Sequence, residues 1–152
     1  MVYQVIDEIE KINISRIILE SLPKWFGIEE ARENYILDSK NQIMFVSKDD
    51  DKYLGFLCLK ETGKNTVELA VIGVLQEYHR HGIGKSLFKE AYEYIKKIGY
   101  EFIQVKTVAM GYYSEYDSTN LFYESLGFKE FEIFPTLWGK ENPCQIYIMA
   151  VC

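Results

Sequence analysis

The sequence predicts a single α/β (α+β) domain, with a mixed central sheet of about six to seven strands flanked by about four helices. Its length of 152 residues suits one domain of ordinary size. The composition is 48% hydrophobic and 26% charged, with 12 tyrosines and 9 phenylalanines, which is too apolar for a disordered chain. Short runs rich in branched residues alternate with runs whose apolar residues recur at helical spacing. We therefore treat residues 1–152 as one domain.

The N-terminal quarter predicts one strand and two helices. Residues 3–9 alternate loosely between apolar and polar side chains, which is typical of a strand, here expected at the border of the sheet. A first helix is expected from Asn13, as its cap, to the Leu22-Pro23 pair, since a residue before proline avoids helical dihedral angles. A second helix is expected over 28–37. Trp25 and Phe26 lie between them, where packing of the two helices is favoured over a grip on substrate.

The next stretch predicts a hairpin and a buried strand. Strand-like runs at 42–47 and 53–60 flank a polar turn that contains three consecutive aspartates. This turn has neither the glycine nor the closing glutamate of a calcium loop, so we expect a solvated turn and no metal site. After a second turn at 62–65, residues 66–75 have the branched apolar composition of a buried strand.

The C-terminal half predicts two further strand-helix units. An amphipathic helix is expected over 82–98, with Gly99 as its C-terminal cap, and a strand over 102–108. Strand, helix and strand in this order imply a crossover between parallel neighbours. We expect a tyrosine-rich loop at 112–117, a short helix at 119–126 and strands at 128–134 and 144–151. The sequence leaves open whether the last strand pairs within the chain or with a second subunit of a homodimer.

The charge balance limits the classes of partner. The formal net charge of -6 argues against nucleic acid, whose affinity depends on lysine and arginine meeting phosphates. An acidic surface suits a cationic or amine substrate, although mild acidity is also an ordinary route to solubility.

The cysteines and the first residues predict a cytoplasmic protein without a membrane partner. Cys58, Cys144 and Cys152 are an odd number at wide spacing, with no CxxC pair. Cys144 could border an acceptor site, but a buried small side chain is favoured. Residues 1–19 are interrupted by charged side chains, which excludes a signal peptide and a membrane span there.

The junction of residues 68–87 predicts an anion site, because an apolar strand leads through a glycine-bearing turn into a helix whose first amides are unpaired. Two nucleotide-binding patterns fail there on spacing. A Walker A loop ending in Gly84-Lys85-Ser86 requires glycine at position 79, which is His79. A dinucleotide fingerprint starting at Gly82 requires glycine at position 87, which is Leu87.

A third pattern fits this junction. The form [Q/R]xxGx[G/A] between a strand and a long helix is matched by HRHGIG at 79–84, apart from its first position. A second motif, FYESLGF, follows at 122–128. With these two motifs in this order, the chain resembles the GNAT superfamily of acetyl-CoA-dependent N-acetyltransferases. The order of predicted elements is similar to that of the family over nearly the whole chain.

The resemblance implies a coenzyme site made largely of backbone. It implies that the preceding strand is partly splayed from its neighbour and offers main-chain groups near Ile72 and Val74 to the pantetheine and the acetyl carbonyl. It also implies that the pyrophosphate is wrapped by the amides of His79, Arg80, His81, Gly82, Ile83, Gly84 and Lys85. The side chains of Arg80 and Lys85 could add charge for the phosphates or be solvated cations at a helix start. The two histidines are expected to be loop residues, not metal ligands.

The resemblance also implies catalytic roles. Tyr123 matches the phenol that protonates the departing thiolate, with a packed aromatic side chain as the alternative. Glu68 matches a carboxylate that deprotonates the amine, with a solvated strand residue as the alternative. Glu115 and Asp117 are other candidates for the base, and Tyr113 and Tyr116 could line the substrate site. Tyr116 stands where similar enzymes often have an asparagine.

The function implied is transfer of acetyl from acetyl-CoA to a primary amine, in a small molecule or a peptide, by direct attack in a ternary complex. This chemistry requires no metal. The alternative is a noncatalytic acyl-CoA-binding or regulatory module of the same fold.

Overall fold

A computed structural model describes residues 1–152. The chain forms seven strands and four α-helices, which confirms the expected α/β architecture. In chain order these are β1 Val2–Val5, α1 Glu8–Glu20, α2 Glu29–Asp38, β2 Ile43–Asp49, β3 Lys52–Gly63, β4 Thr66–Val74, α3 Ile83–Ile98, β5 Phe102–Val108, α4 Ser114–Leu126, β6 Lys129–Phe134 and β7 Cys144–Ala150. Short 3-10 helices occur at Ser39–Asn41 and Gln76–Tyr78. None of the helices is both long and apolar enough to cross a membrane.

The strands form one mixed, open sheet in the order β1-β2-β3-β4-β5-β7-β6. The pair β4–β5 is parallel, as the strand-helix-strand order predicted. Its pairing covers only Thr66–Glu68 against 102–104, as expected of a partly splayed sheet. The last strand, β7, pairs antiparallel with β5 on one side and β6 on the other, so both of its edges are occupied within the chain. β1 lies at the border of the sheet, as expected.

The chain divides into two compact units. The first comprises residues 1–60 and 70–98, and the second comprises residues 61–69 and 99–152. The boundary falls inside β3 and β4, so each of these strands contributes to both units.

The core of the first unit lies between its two N-terminal helices and the strands. The fully buried Ile14 and Ile18 of α1 and Ile36 of α2 pack in one cluster with Met44 and Phe56. The Arg16 guanidinium bonds both carboxylate oxygens of Glu33, at 2.9 and 2.6 Å, which joins α1 to α2 and lowers the pKa of Glu33. Trp25 and Phe26 pack against this cluster, as the packing interpretation predicted. The amphipathic α3 buries Leu87, Phe88, Ala91 and Ile95.

In the second unit, the whole of β5 pairs with β7, from Phe102 opposite Ala150 to Val108 opposite Cys144. Tyr123 of α4, Phe128 and Tyr147 of β7 are buried here, with exposures of 5%, 3% and 1%. Gly127 ends α4 in the left-handed conformation with φ of 106°. By contrast, every residue of the edge strand β6 is exposed.

The predicted start of the first helix is wrong. α1 begins at Glu8 and is capped by Asp7, whose carboxylate accepts a hydrogen bond from the Glu10 amide at 2.8 Å. Asn13, the expected cap, is an exposed residue inside the helix. Because an aspartate cap with acidic residues in the first turn is a strong start signal, it ends the preceding strand at Val5, before the expected residue 9.

The predicted loop at 112–117 is also wrong beyond Tyr113. α4 begins at Ser114 instead of residue 119, so most of the tyrosine-rich segment is helical. Glu115 and Asp117 lie in its first turn, where negative charge favours the helix dipole. Because tyrosine is a modest helix former, composition alone predicts a loop for this segment.

Candidate functional site

The anion site predicted at 79–85 is a solvent-accessible loop with free amides. Two of its residues have positive φ, Arg80 at 66° and Gly82 at 82°, and α3 begins at Ile83. The amides of residues 80–85 donate to no backbone group, whereas the His79 amide donates to the Gln76 carbonyl at 3.1 Å and the Ser86 amide to the Gly82 carbonyl. The prediction that the His79 amide is available to the pyrophosphate is therefore wrong. Unpaired amides at the start of a 16-residue helix form a site for a negative charge.

The side chain of His79 has a specific partner. Its Nε2 lies 2.7 Å from the carbonyl oxygen of Val74, the last residue of β4. Because a carbonyl only accepts, Nε2 is the protonated nitrogen and donates this bond. The His79 ring also meets the edge of Trp25, with ring centroids 5.3 Å apart. The side chain therefore connects the loop to the end of β4, a role that motif spacing could not reveal.

A glycine on β3 allows the close packing of this region. A Cβ atom at Gly55 would lie 2.9 Å from the Gly73 carbonyl oxygen, 3.1 Å from a methyl of Val74 and 3.3 Å from a methyl of Ile83. The end of β4 and the first residue of α3 thus both approach β3 at Gly55. Ile72 and Val74, the predicted main-chain binding positions, are half-buried in this segment.

The exposed side chains of the loop have few contacts. Neither Arg80 nor Lys85 forms an ion pair, so both positive charges are available to a phosphate. His81 lies against the Tyr78 ring at 5.9 Å. No group of three or more His, Cys, Asp or Glu side chains is arranged to hold a metal ion.

Glu68, the predicted base, is buried in the second unit. It is 6% exposed, and its Oε1 lies 3.3 Å from Nζ of Lys106 on β5. The interpretation of Glu68 as a solvated strand residue is therefore wrong. Burial raises the pKa of the neighbouring Cys144 thiol to about 11, a shift that Lys106 opposes and Glu68 reinforces. Cys144 is fully buried, as predicted, so its thiol is a packed side chain.

Tyr123, the predicted acid, lies in α4 among aromatic rings. Its ring centroid is 5.7 Å from that of Phe122, 5.9 Å from Phe128 and 6.1 Å from Tyr147. These contacts fix the orientation of the phenol. They also mean that Tyr123 has a packing role whatever its hydroxyl does.

Asn120 is a buried polar residue that the sequence did not single out. Its Nδ2 donates to the carbonyls of Val108 and Tyr116 at 2.8 and 2.7 Å, and its Oδ1 accepts from the Tyr147 hydroxyl at 2.7 Å. This amide ties α4 to the end of β5 and to β7. Asparagine inside a helix is ordinarily a surface residue, so spacing alone gives no signal for it.

The alternative candidates have local partners. Asp117 accepts a hydrogen bond from the Gly111 amide at 2.7 Å and so closes the turn before α4. Glu115 accepts from Ser114, and the Tyr113 hydroxyl lies 3.4 Å from the Glu141 carbonyl. Tyr113 and Tyr116 meet edge to face at 6.1 Å. Asp117 therefore has a structural role in this turn.

Comparison with solved structures shows the same fold. The chain aligns over its whole length with 99% of a GNAT-family protein from Desulfovibrio desulfuricans, with a TM-score of 0.84 and 17% identity. It covers 94% of the ribosomal-protein-S18-alanine N-acetyltransferase of Escherichia coli, over 99% of its own length, with a TM-score of 0.75 and 18% identity. It covers 97% of an aminoglycoside 6'-N-acetyltransferase solved with coenzyme A, over 100% of its own length, with a TM-score of 0.73 and 17% identity.

The sequence itself matches a family model. Residues 40–130, more than half of the chain, match the model of the acetyltransferase (GNAT) domain. This range contains the strand, glycine loop and helix of the anion site and both sequence motifs. The chain therefore belongs to the GNAT family of acetyltransferases.

Proposed function

We propose that this protein transfers an acetyl group from acetyl-CoA to a primary amine by direct attack in a ternary complex. The observation that supports this most is the loop before α3, in which the amides of residues 80–85 are unpaired and suit the pyrophosphate of a coenzyme. A related structure was solved with coenzyme A. Arg80 and Lys85 add two positive charges without competing ion pairs.

The proposed chemistry assigns one role to each predicted residue. The neutral amine attacks the thioester carbonyl, and collapse of the tetrahedral intermediate forms the amide and releases the thiolate. Tyr123 gives its phenolic proton to the thiolate, and Glu68 takes the proton that the amine loses. Main-chain groups of Ile72 and Val74 hold the pantetheine. A carbonyl has two lone pairs, so the bond from His79 leaves the Val74 oxygen able to accept a second.

The second candidate is a noncatalytic acyl-CoA-binding module of the same fold. The burial of Tyr123 among three aromatic rings favours it, because packing alone accounts for those contacts. In such a module the loop would still bind coenzyme.

Two measurements test the proposal. Calorimetry with acetyl-CoA and with ATP comes first, and we expect binding of acetyl-CoA only. A thiol-release assay against polyamines, aminoglycosides, amino acids and peptides follows, and at least one amine should be turned over. Binding of ATP but not acetyl-CoA would overturn both candidates, whereas tight binding of acetyl-CoA without turnover would favour the module.

A further inference from the structure

The proposed base has a cation beside it at the point where two strands separate. β4 pairs with β5 only as far as Glu68, which lies opposite Gln104, although β4 continues to Val74 and β5 to Val108. Lys106 is two residues beyond Gln104 and is therefore on the same face of β5. Its Nζ lies 3.3 Å from Oε1 of Glu68. This ion pair thus links β4 and β5 through their side chains, just beyond their last backbone pair.

The burial of Glu68 makes its charge depend on a partner. The side chain of Glu68 is 8% exposed, and that of Lys106 is 30% exposed. Burial disfavours the ionised form of a carboxylate, whereas an ammonium within about 4 to 6 Å favours it. Lys106 is the only cation that forms an ion pair with Glu68. The neighbouring Cys144 is an uncharged thiol at neutral pH, because burial raises its pKa to about 11.

The same contact orients the carboxylate of Glu68. The Lys106 ammonium donates its hydrogen bond to Oε1. A carboxylate has two oxygens, so Oε2 remains to accept a proton from an amine. The backbone of Lys106 is held on the far side of β5, where it pairs with Ile146 of β7. The ammonium is therefore anchored to a paired strand and limits the rotation of the carboxylate.

We propose that Lys106 is a positioning residue for acetyl transfer, an inference that rests on the proposed function. It keeps the carboxylate of Glu68 ionised and holds it by Oε1, with Oε2 free. In the reaction, the amine nitrogen bonds to the acetyl carbon and gives one proton to Oε2, so that Glu68 becomes a neutral carboxyl group. Lys106 keeps its own three protons throughout and acts only through Glu68.

A comparison in two backgrounds tests whether Lys106 acts through Glu68. The assay is thiol release from acetyl-CoA, with the amine of the panel above that the wild type acetylates fastest. In the wild-type chain, Lys106→Met should lower kcat about tenfold, because part of Glu68 is then protonated and its orientation is lost. In the Glu68→Gln chain, which already lacks the base, Lys106→Met should change kcat less than about twofold. A tenfold loss in both backgrounds would show independent effects and overturn the proposal.

Rescue by arginine separates a lost charge from a disturbed fold. Lys106→Arg keeps a cation that can donate to a carboxylate, and it should retain kcat within about threefold of the wild type. Lys106→Met should leave the acetyl-CoA affinity, measured by calorimetry, within about twofold of the wild type. The matched control is Lys129→Met on the exposed strand β6, which removes the same charge where no ion pair exists and should leave kcat unchanged.

A second variant covers the case in which Lys106→Met is too unstable to assay. Lys106→Gln can still donate a hydrogen bond to Oε1 but has no charge, and it should also lower kcat about tenfold. Wild-type kcat in Lys106→Gln would show that the charge of Lys106 is not needed and would overturn the proposal.

Unfolding in urea tests the pair without any turnover. Each single variant, Lys106→Met and Glu68→Gln, leaves one partner without its counterpart, whereas the double variant removes both. The unfolding equilibrium constant of the double variant should therefore be about tenfold smaller than the two single effects predict together. Single effects that simply multiply would show that the two side chains do not interact, and would overturn the proposal.

The wild type separates this proposal from the proposed function. If the wild type acetylates an amine and Lys106→Met has the same kcat, only the role of Lys106 is overturned. If the wild type binds acetyl-CoA but acetylates no amine of the panel, the proposed function is overturned first, and the role of Lys106 with it, before any variant is compared.

Discussion

At the scale of single residues, His79 and Tyr123 show how much depends on one side-chain group. His79 donates one hydrogen bond to the last carbonyl of β4, at the start of the loop that we propose for the pyrophosphate. Tyr123 presents one hydroxyl from a ring that is fixed by three neighbours. In each case a substitution can remove the polar group and keep most of the shape.

His79→Ala should weaken acetyl-CoA binding about fivefold, because one hydrogen bond worth about 1 kcal/mol that holds the loop is lost. His79→Gln should restore most of the affinity, since an amide nitrogen can donate to the same carbonyl. Calorimetry measures both, with the exposed Gln76→Ala as the control. Equal affinity for wild type and His79→Ala would show that the contact with Val74 has no part in coenzyme binding.

Tyr123→Phe should lower kcat by about 100-fold or more and change the acetyl-CoA affinity less than about twofold, because only the acid is removed. The ring contacts remain, so the variant should fold. Steady-state kinetics gives kcat, and calorimetry gives the affinity for acetyl-CoA. Tyr3→Phe on β1 is the control for loss of a phenol. An unchanged kcat would remove Tyr123 from the acid role and support the packing interpretation.

At the scale of elements, the predicted boundaries differ from the structure mainly at the starts of helices. β5 was predicted at 102–108 and occupies those residues, because its alternating burial is visible as an alternating sequence. α3 was predicted to within one residue, since its apolar face and its terminal glycine are both distinct. The start of α1 was missed because Asn13 was expected to be its cap, and the start of α4 was missed because the tyrosine-rich segment at 112–117 was expected to be a loop. Their correct starts depend on a hydrogen bond to Asp7 and on acidic residues in a first turn.

Asp7→Ala should reduce the free energy of unfolding by about 1 kcal/mol, because the Glu10 amide loses its acceptor. Asn13→Ala should be neutral or slightly stabilising, since Asn13 is an exposed residue inside the helix and alanine has the higher helix propensity. Urea unfolding followed by circular dichroism measures both. A greater loss for Asn13→Ala than for Asp7→Ala would contradict the helix start seen here.

At the scale of the whole molecule, the site residues are assembled by pairings that local sequence does not specify. The family resemblance selected Glu68 and Tyr123, but the partner of Glu68 depends on the register of β4 and β5, in which Glu68 lies opposite Gln104. Lys106 is two residues farther along β5 and so projects from the same face as Gln104. The network of Asn120 and Tyr147 likewise requires that β7 lie beside β5. These contacts follow from topology, which residue spacing cannot supply.

Buried acids should limit the stability of the fold at high pH. Burial raises the pKa of Tyr147 to about 12 and of Cys144 to about 11, and it raises the pKa of Cys58 as well. In the unfolded chain these groups ionise nearer their ordinary pKa values of about 8.5 to 10, so the unfolded state loses protons first. Their contribution is complete below about pH 8.5 and is lost as the pH rises toward about 12.

Urea unfolding measured at about pH 7 and about pH 10 should therefore give a lower free energy of unfolding at the higher pH, by about 1–3 kcal/mol. Cys144→Ala removes one of these ionisations and should make the decline shallower. A stability that is constant across this range would contradict the burial of these groups.

The closeness of three chain segments at Gly55 limits which amino acids can replace this glycine. Alanine is the mildest substitution at most positions of a strand. At position 55, however, its Cβ would lie 2.9 Å from the Gly73 carbonyl oxygen, which is a backbone atom and not the end of a flexible side chain. Deep sequencing of a library selected for folding should find position 55 depleted of every other amino acid, alanine included. During evolution, the other positions of β3 would then change while Gly55 stays the same.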